Sequence, residues 1–159
     1  MGTTFDEIID LALIIIRDYK IDWIYQKDMS IFQEYMDGFL KRAIYDFHDC
    51  LKSLDYDGES RSFLLVLANS EKVILSDYLV YEWFKSLTND TRYVNLHLND
   101  SDFKHYAESN NLKEKSEYLD RLKEKISKDV TEYKFDHLEE LPYYSGLAWN
   151  KERKDGQTN

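Results

Sequence analysis

Glu71-Lys72-Val73-Ile74-Leu75-Ser76-Asp77-Tyr78-Leu79-Val80-Tyr81-Glu82-Trp83-Phe84 is the stretch that decides the fold. Val73, Ile74, Asp77, Tyr78, Tyr81 and Phe84 recur at helical spacing, and Leu75, Leu79, Val80 and Trp83 carry the apolar surface around most of the circumference. A helix that is apolar nearly all round is a buried helix, so this segment is expected at the centre of the domain, capped by Asn69 or Ser70.

Upstream, Asp55-Tyr56-Asp57-Gly58-Glu59-Ser60 is the clearest turn, and its Asp-Gly step places a positive φ at Gly58. The apolar run 63–67 reads as a short strand or as the lead into the central helix. Before the turn, Ile31, Phe32, Tyr35, Phe39, Ala43, Phe47 and Leu51 trace a helix that starts at a Ser30 cap and ends near Ser53. Gly38 sits inside it at a cost of roughly 1 kcal/mol relative to Ala. Residues 20–28, with Trp23 and Tyr25, read as an aromatic connector. Thr4-Phe5-Asp6-Glu7 is a capping box that opens a first helix running to Tyr19. Leu11, Leu13 and Ile14 widen its apolar stripe, so it belongs in the core or against a second chain.

Downstream, residues 87–102 are polar and irregular, with turn clusters at Thr88-Asn89-Asp90 and Asn99-Asp100-Ser101-Asp102. Tyr93 to Leu98 between them alternate like a short strand, or form one or two helical turns. Ser109 or Asn110 opens a long helix to about Thr131, whose narrow stripe is Leu112, Leu119, Leu122, Ile126 and Tyr133. A narrow stripe suits a helix on the outside of the fold, or a seam with another subunit. The fold class expected is therefore mostly α: a bundle of about four helices over residues 1–135, with a short irregular or β-like insertion. Residues 136–159 form an extended C-terminal tail. Leu141, Tyr143, Tyr144, Leu147 and Trp149 in that tail either fold back on the domain or serve as a partner-binding segment.

The composition supports a folded domain that binds proteins. The chain has 159 residues with 43% hydrophobic, enough for a core, and only one Pro and five Gly, which favours helices. A net charge of −10 argues against binding to a phosphate backbone, although a DNA mimic would also be acidic. Cys50 is the single cysteine, which fits a reducing compartment. The first residues lack the basic flank of a signal peptide and the run 11–16 is too short to span a bilayer, so a cytoplasmic chain with no membrane partner is expected.

No motif for catalysis stands out. His48, His97, His105 and His137 have no metal-ligand spacing, and no metal or cofactor is expected. Asp55, Asp57, Gly58 and Glu59 resemble part of a calcium loop, but the match fails. Aligned on Gly58, the loop has Ser53 at its first position and Leu64 where a bidentate Glu is required. Cys50 ends an apolar stripe, the place of a small buried thiol. There is no phosphate-cradling glycine loop and no nucleophile elbow, and an enzyme is not expected.

One resemblance covers roughly residues 5–135. The central helix quoted above, ending in Trp83-Phe84, is similar to that of the head-to-tail connector (adaptor) proteins of tailed bacteriophages. Ser101-Asp102-Phe103-Lys104-His105-Tyr106-Ala107-Glu108-Ser109-Asn110-Asn111-Leu112-Lys113-Glu114 resembles the polar lead into that family's long helix, and Thr131-Glu132-Tyr133-Lys134-Phe135 its aromatic exit. The resemblance implies a helical virion protein that forms a ring, commonly a dodecamer, beneath the portal protein. The ring would extend the DNA channel, let DNA pass without specific binding, and offer a surface to a downstream neck or tail protein. It further implies a place in the virion neck after assembly in the host cytoplasm, and puts portal contact on the tail from Leu141 to Trp149. The rivals are an acidic monomeric inhibitor of the DNA-mimic type and a small helical regulatory protein.

Overall fold

The computed structural model describes residues 2–97 and 102–138, and the side chains of these outside 91–112. Among the described residues there are five helices and one two-stranded hairpin: α1 (Phe5–Ile15), α2 (Tyr19–Lys27), α3 (Met29–Asp46), β1 (Tyr56–Asp57), β2 (Ser62–Phe63), α4 (Asn69–His97) and α5 (Asp102–Asp136). The mostly helical class expected from the sequence is the class observed. The tail residues from 139 onward, Leu141, Tyr143, Tyr144, Leu147 and Trp149 among them, lie outside the described residues.

The quoted stretch is the hub. α4 packs against α1, α3 and α5, and Ile74, Leu75, Leu79, Val80 and Trp83 are buried in a core shared by all three. α1 begins as expected: the Thr4 hydroxyl accepts from the Glu7 amide, and the Glu7 carboxylate accepts from the Thr4 amide at 3.1 Å. It buries Phe5, Ile8, Ile9 and Ala12, which places it in the core of its own chain. α5 turns Leu122, Ile126 and Tyr133 of the expected stripe inward, together with Val130; Leu119 is half-buried and the side chain of Leu112 lies outside those described.

Several boundaries differ from the sequence reading. The expected connector at 20–28 is the helix α2: the Asp18 carboxylate accepts from the Lys20 amide at 2.6 Å and caps it. α1 consequently stops at Ile15 instead of Tyr19. α3 is capped by Asp28, which accepts from the amides of Ser30 and Ile31, so Ser30 lies one residue inside the helix. α3 ends at Asp46 rather than near Ser53, because Phe47 turns into the core between the rings of Tyr78 and Tyr133. Its buried face is Phe32, Met36, Asp37, Leu40 and Ala43, which leaves Ile31 exposed.

The irregular region expected from residue 87 is helical as far as His97, with no strand in 93–97. Thr88 is buried and donates its hydroxyl to the Phe84 carbonyl at 2.9 Å, so the turn-forming residue is used inside the helix. α5 likewise starts at Asp102, ahead of the expected Ser109 or Asn110, and runs past Thr131 to Asp136.

Gly58 does not take the expected positive φ. Asp57 accepts from the amides of Glu59 and Ser60, which winds the turn right-handed, and Arg61 closes the loop at φ 49°. Two carboxylates hold Arg61 there. It donates through Nε and Nη2 to Asp37 at 2.8 and 2.7 Å and pairs with Asp6 at 2.8 Å, tying the hairpin to α3 and α1.

The N-terminal residues lie along the hairpin, with the Phe63 amide donating to the Thr3 carbonyl and the Thr3 amide to the Leu65 carbonyl. The approach needs a glycine: a Cβ on Gly2 would stand 1.7 Å from the Phe63 carbonyl oxygen. Gly2→Ala is expected to detach this segment and lower stability by roughly 1–3 kcal/mol in urea denaturation. Gly38 is the opposite case. It is helical and exposed, with nothing within 4 Å of a Cβ. Gly38→Ala is expected to stabilise by about 0.5–1 kcal/mol in the same assay.

Candidate interaction surfaces

α2 is a nine-residue helix that buries one side chain, Ile21. Ile24 is half-buried against the core, and the aromatic residues of α2 face outward. Tyr19 and Trp23, four apart on one face, are 85% and 51% exposed. The next position on that face is Lys27, whose ammonium lies 4.4 Å from the centroid of the Trp23 ring. Ile14 and Ile15 at the end of α1 continue the surface, as do Met29 and Ile31 at the start of α3, with Tyr25 at its flank. Trp23, Ile24, Lys27, Asp28 and Ile31 enclose a shallow hollow of about 190 Å³.

A second apolar surface follows the hairpin. Leu64, Leu65 and Val66 are consecutive and 65%, 45% and 64% exposed, and Val73 stands half-exposed in the first turns of α4. Their backbone is held down: the Leu64 amide donates to the Asp55 carbonyl, and the carbonyls of Leu65 and Val66 accept from the Thr3 amide and Lys52 Nζ. The segment is thus fixed in place while its side chains point to solvent. It sits at the N-terminal end of α1, and the α2 surface at the C-terminal end. At 1.5 Å per residue the two are about 15 Å apart along that helix.

A further groove has a mixed polar and apolar lining. It has a volume of about 820 Å³ between the end of α3, α4 and α5, with Asp46, Tyr78, Lys85, Ser127 and Lys134 among its walls. Two of its lysines are paired: Lys85 with the buried Glu82 at 2.6 Å, and Lys134 with Asp49 at 2.7 Å. The Glu82 carboxylate holds the Lys85 ammonium above the usual lysine range. Asp46 is pushed up instead, by burial first and then by the negative charge of Glu82. Because its folded pKa exceeds the unfolded one, its contribution to stability is present at low pH and is lost as pH rises through the carboxylate range. Asp46→Asn is therefore expected to raise Tm at neutral pH. The two melting curves should converge as pH falls to about 4.

Cys50 is half-buried with its Sγ 3.9 Å from the Tyr133 hydroxyl, and burial pushes its thiol pKa up, away from a reactive thiolate. His48 Nδ1 donates to the Asp46 carbonyl and His137 Nδ1 to the Tyr133 carbonyl. The side chains of His97 and His105 lie outside those described. Among the described residues no three His, Cys, Asp or Glu are gathered to hold a metal ion, and no helix is long and apolar enough to cross a membrane.

Comparison of the chain with protein-family models, with curated proteins and with solved structures finds no match. What these surfaces do is therefore read from their own chemistry. Exposed apolar side chains in a contiguous patch are the mark of protein contact. The α2 surface is not evident in the sequence, where Trp23 and Tyr25 read as connector aromatics. A signal for it exists nonetheless: Asp18 as a cap, followed by Tyr19, Trp23 and Lys27 at four-residue spacing.

Proposed function

We propose that this chain is a head-to-tail adaptor subunit of a tailed bacteriophage, acting by binding proteins and not by catalysis. In this reading copies of the chain form a ring, commonly a dodecamer, between the portal protein and a downstream neck or tail protein. They occupy the virion neck after assembly in the host cytoplasm. The observation that carries the reading is the pair of apolar surfaces at the two ends of α1 in a chain of net charge −10. A ring subunit needs two lateral faces, and it needs neighbours to cover apolar area that its own core leaves exposed. The resemblance of the central helix and its exit to the adaptor family names the assembly. Acidic channel walls would repel DNA and let it slide.

The test is capture from a lysate of infected cells, with the full chain compared against a version ending at Leu141. Recovery of a portal or neck protein by the full chain alone supports the reading and places docking in Tyr143, Tyr144, Leu147 and Trp149. Recovery by both supports the reading with docking on the helical body. Capture of a nuclease or polymerase in place of either overturns it in favour of an acidic inhibitor.

A further inference from the structure

We propose that the α2 surface of one copy receives the Leu64, Leu65 and Val66 segment of the next copy, forming a head-to-tail contact. The proposal rests on the reading of the chain as a self-assembling subunit and names the interface.

Charge selects the surfaces. Two copies at −10 repel one another, and contact costs least where charge is absent or balanced. Residues 17–31 carry Arg17, Lys20 and Lys27 against Asp18, Asp22 and Asp28, so the α2 surface is neutral. Residues 62–70 carry no charged side chain at all. These are the two segments that also expose clustered large apolar groups.

Shape and area select the pairing. The α2 surface holds a hollow of about 190 Å³ walled by Trp23, Ile24 and Ile31, room for one or two aliphatic side chains. The 64–66 segment is a bend with three successive side chains directed outward, a projecting feature on a fixed backbone. Large side chains at the exposures seen around α2 present on the order of 100 Å² each. The seven there approach the ~800 Å² that one partner contributes to a stable interface, and Leu64, Leu65, Val66 and Val73 present about half of that, so the contact seats the projecting segment in part of the α2 surface. Pairing α2 with α2 across a two-fold axis would leave Leu64, Leu65 and Val66 in water, whereas the head-to-tail contact covers that segment together with the part of the α2 surface around the hollow. Such contacts propagate and close into a ring when the rotation permits.

Cross-linking in the full-length protein tests this. In a Cys50→Ser background with native circular dichroism, Ile31→Cys and Leu64→Cys are made singly and together, with Tyr45→Cys plus Leu64→Cys as the collision control. Under mild oxidation the Ile31→Cys, Leu64→Cys double variant should give a ladder on a denaturing gel. A mixture of the two single variants should give one dimer band, and each single variant alone should remain monomeric. Dimerisation of Ile31→Cys alone overturns the proposal in favour of two-fold pairing. Absence of any ladder, or a ladder equal to that of the Tyr45 control, overturns the interface. Capture of a portal protein in the lysate experiment together with no ladder would fail this contact while leaving the adaptor reading standing. Failure of both would end both.

Discussion

Replacing Glu71 with Ala is expected to cost about 3–5 kcal/mol, read as a drop in the urea midpoint at unchanged m. Glu71 is a carboxylate with 1% of its surface exposed, in the first turn of α4. It accepts from the Ala68 amide at 2.5 Å, the Tyr133 hydroxyl at 2.9 Å and Lys52 Nζ at 3.1 Å. Tyr133 in turn accepts from the Leu51 amide at 3.1 Å, so the network joins α4, α5 and the segment after α3. Burial and the hydrogen bond to Glu71 both hold the phenol above its ordinary pKa, whereas the Leu51 amide works against them. Truncation to Ala would strand the buried Tyr133 hydroxyl and leave the half-buried Ala68 amide without its acceptor, and an unmade buried bond costs more than a made one contributes. Glu71→Gln keeps one acceptor oxygen, enough for the Ala68 amide, but puts an amide donor where the second carboxylate oxygen met the Tyr133 hydroxyl, so it should cost less than Glu71→Ala without restoring the full network. Tyr133→Phe, which removes one donor and leaves Glu71 two partners, should cost about 1–2 kcal/mol. A loss below about 1 kcal/mol for Glu71→Ala would show that water replaces the carboxylate.

Phe47→Ala should be comparably damaging, at about 3–5 kcal/mol. Phe47 is the C-cap residue of α3 and is 1% exposed. Its ring lies 5.8 Å from that of Tyr78 on α4 and 5.9 Å from that of Tyr133 on α5. Its removal would open a cavity where three helices meet, taking away the ring that Tyr78 and Tyr133 both pack against. Phe47→Leu, which keeps most of the volume, should recover much of the loss. Thermal and urea denaturation of the pair would measure the cavity separately from the lost ring.

Much of the helical core is legible because each helix carries its own periodicity. The capping box at Thr4, the central position of α4 and the inward stripe of α5 follow from spacing alone, since one face of a helix repeats every three to four residues. Helix ends are less legible. Thr88-Asn89-Asp90 has the composition of a turn, yet burial of Thr88 keeps α4 intact, because packing outweighs the small propensity differences among these residues. α2 is hidden for a related reason: with Ile21 its one buried residue, it shows no clear inward stripe.

The candidate surfaces divide in the same way. That Trp23, Tyr25 and the apolar run 63–67 exist is plain in the sequence, but their exposure is not, because a hydrophobic residue reads the same whether it is covered or bare. The bond between Arg61 and Asp37 joins residues 24 apart, with no local pattern to announce it. It moves the left-handed position from Gly58 to Arg61, since two carboxylates hold a conformation that intrinsic preference would give to glycine. By itself the sequence determined the helical class, the central helix and the acidic, nearly cysteine-free character, because periodicity and charge are properties of neighbouring residues. Only the tertiary structure decided which apolar groups stay in solvent at the two ends of α1, because exposure is settled by what the rest of the chain leaves uncovered.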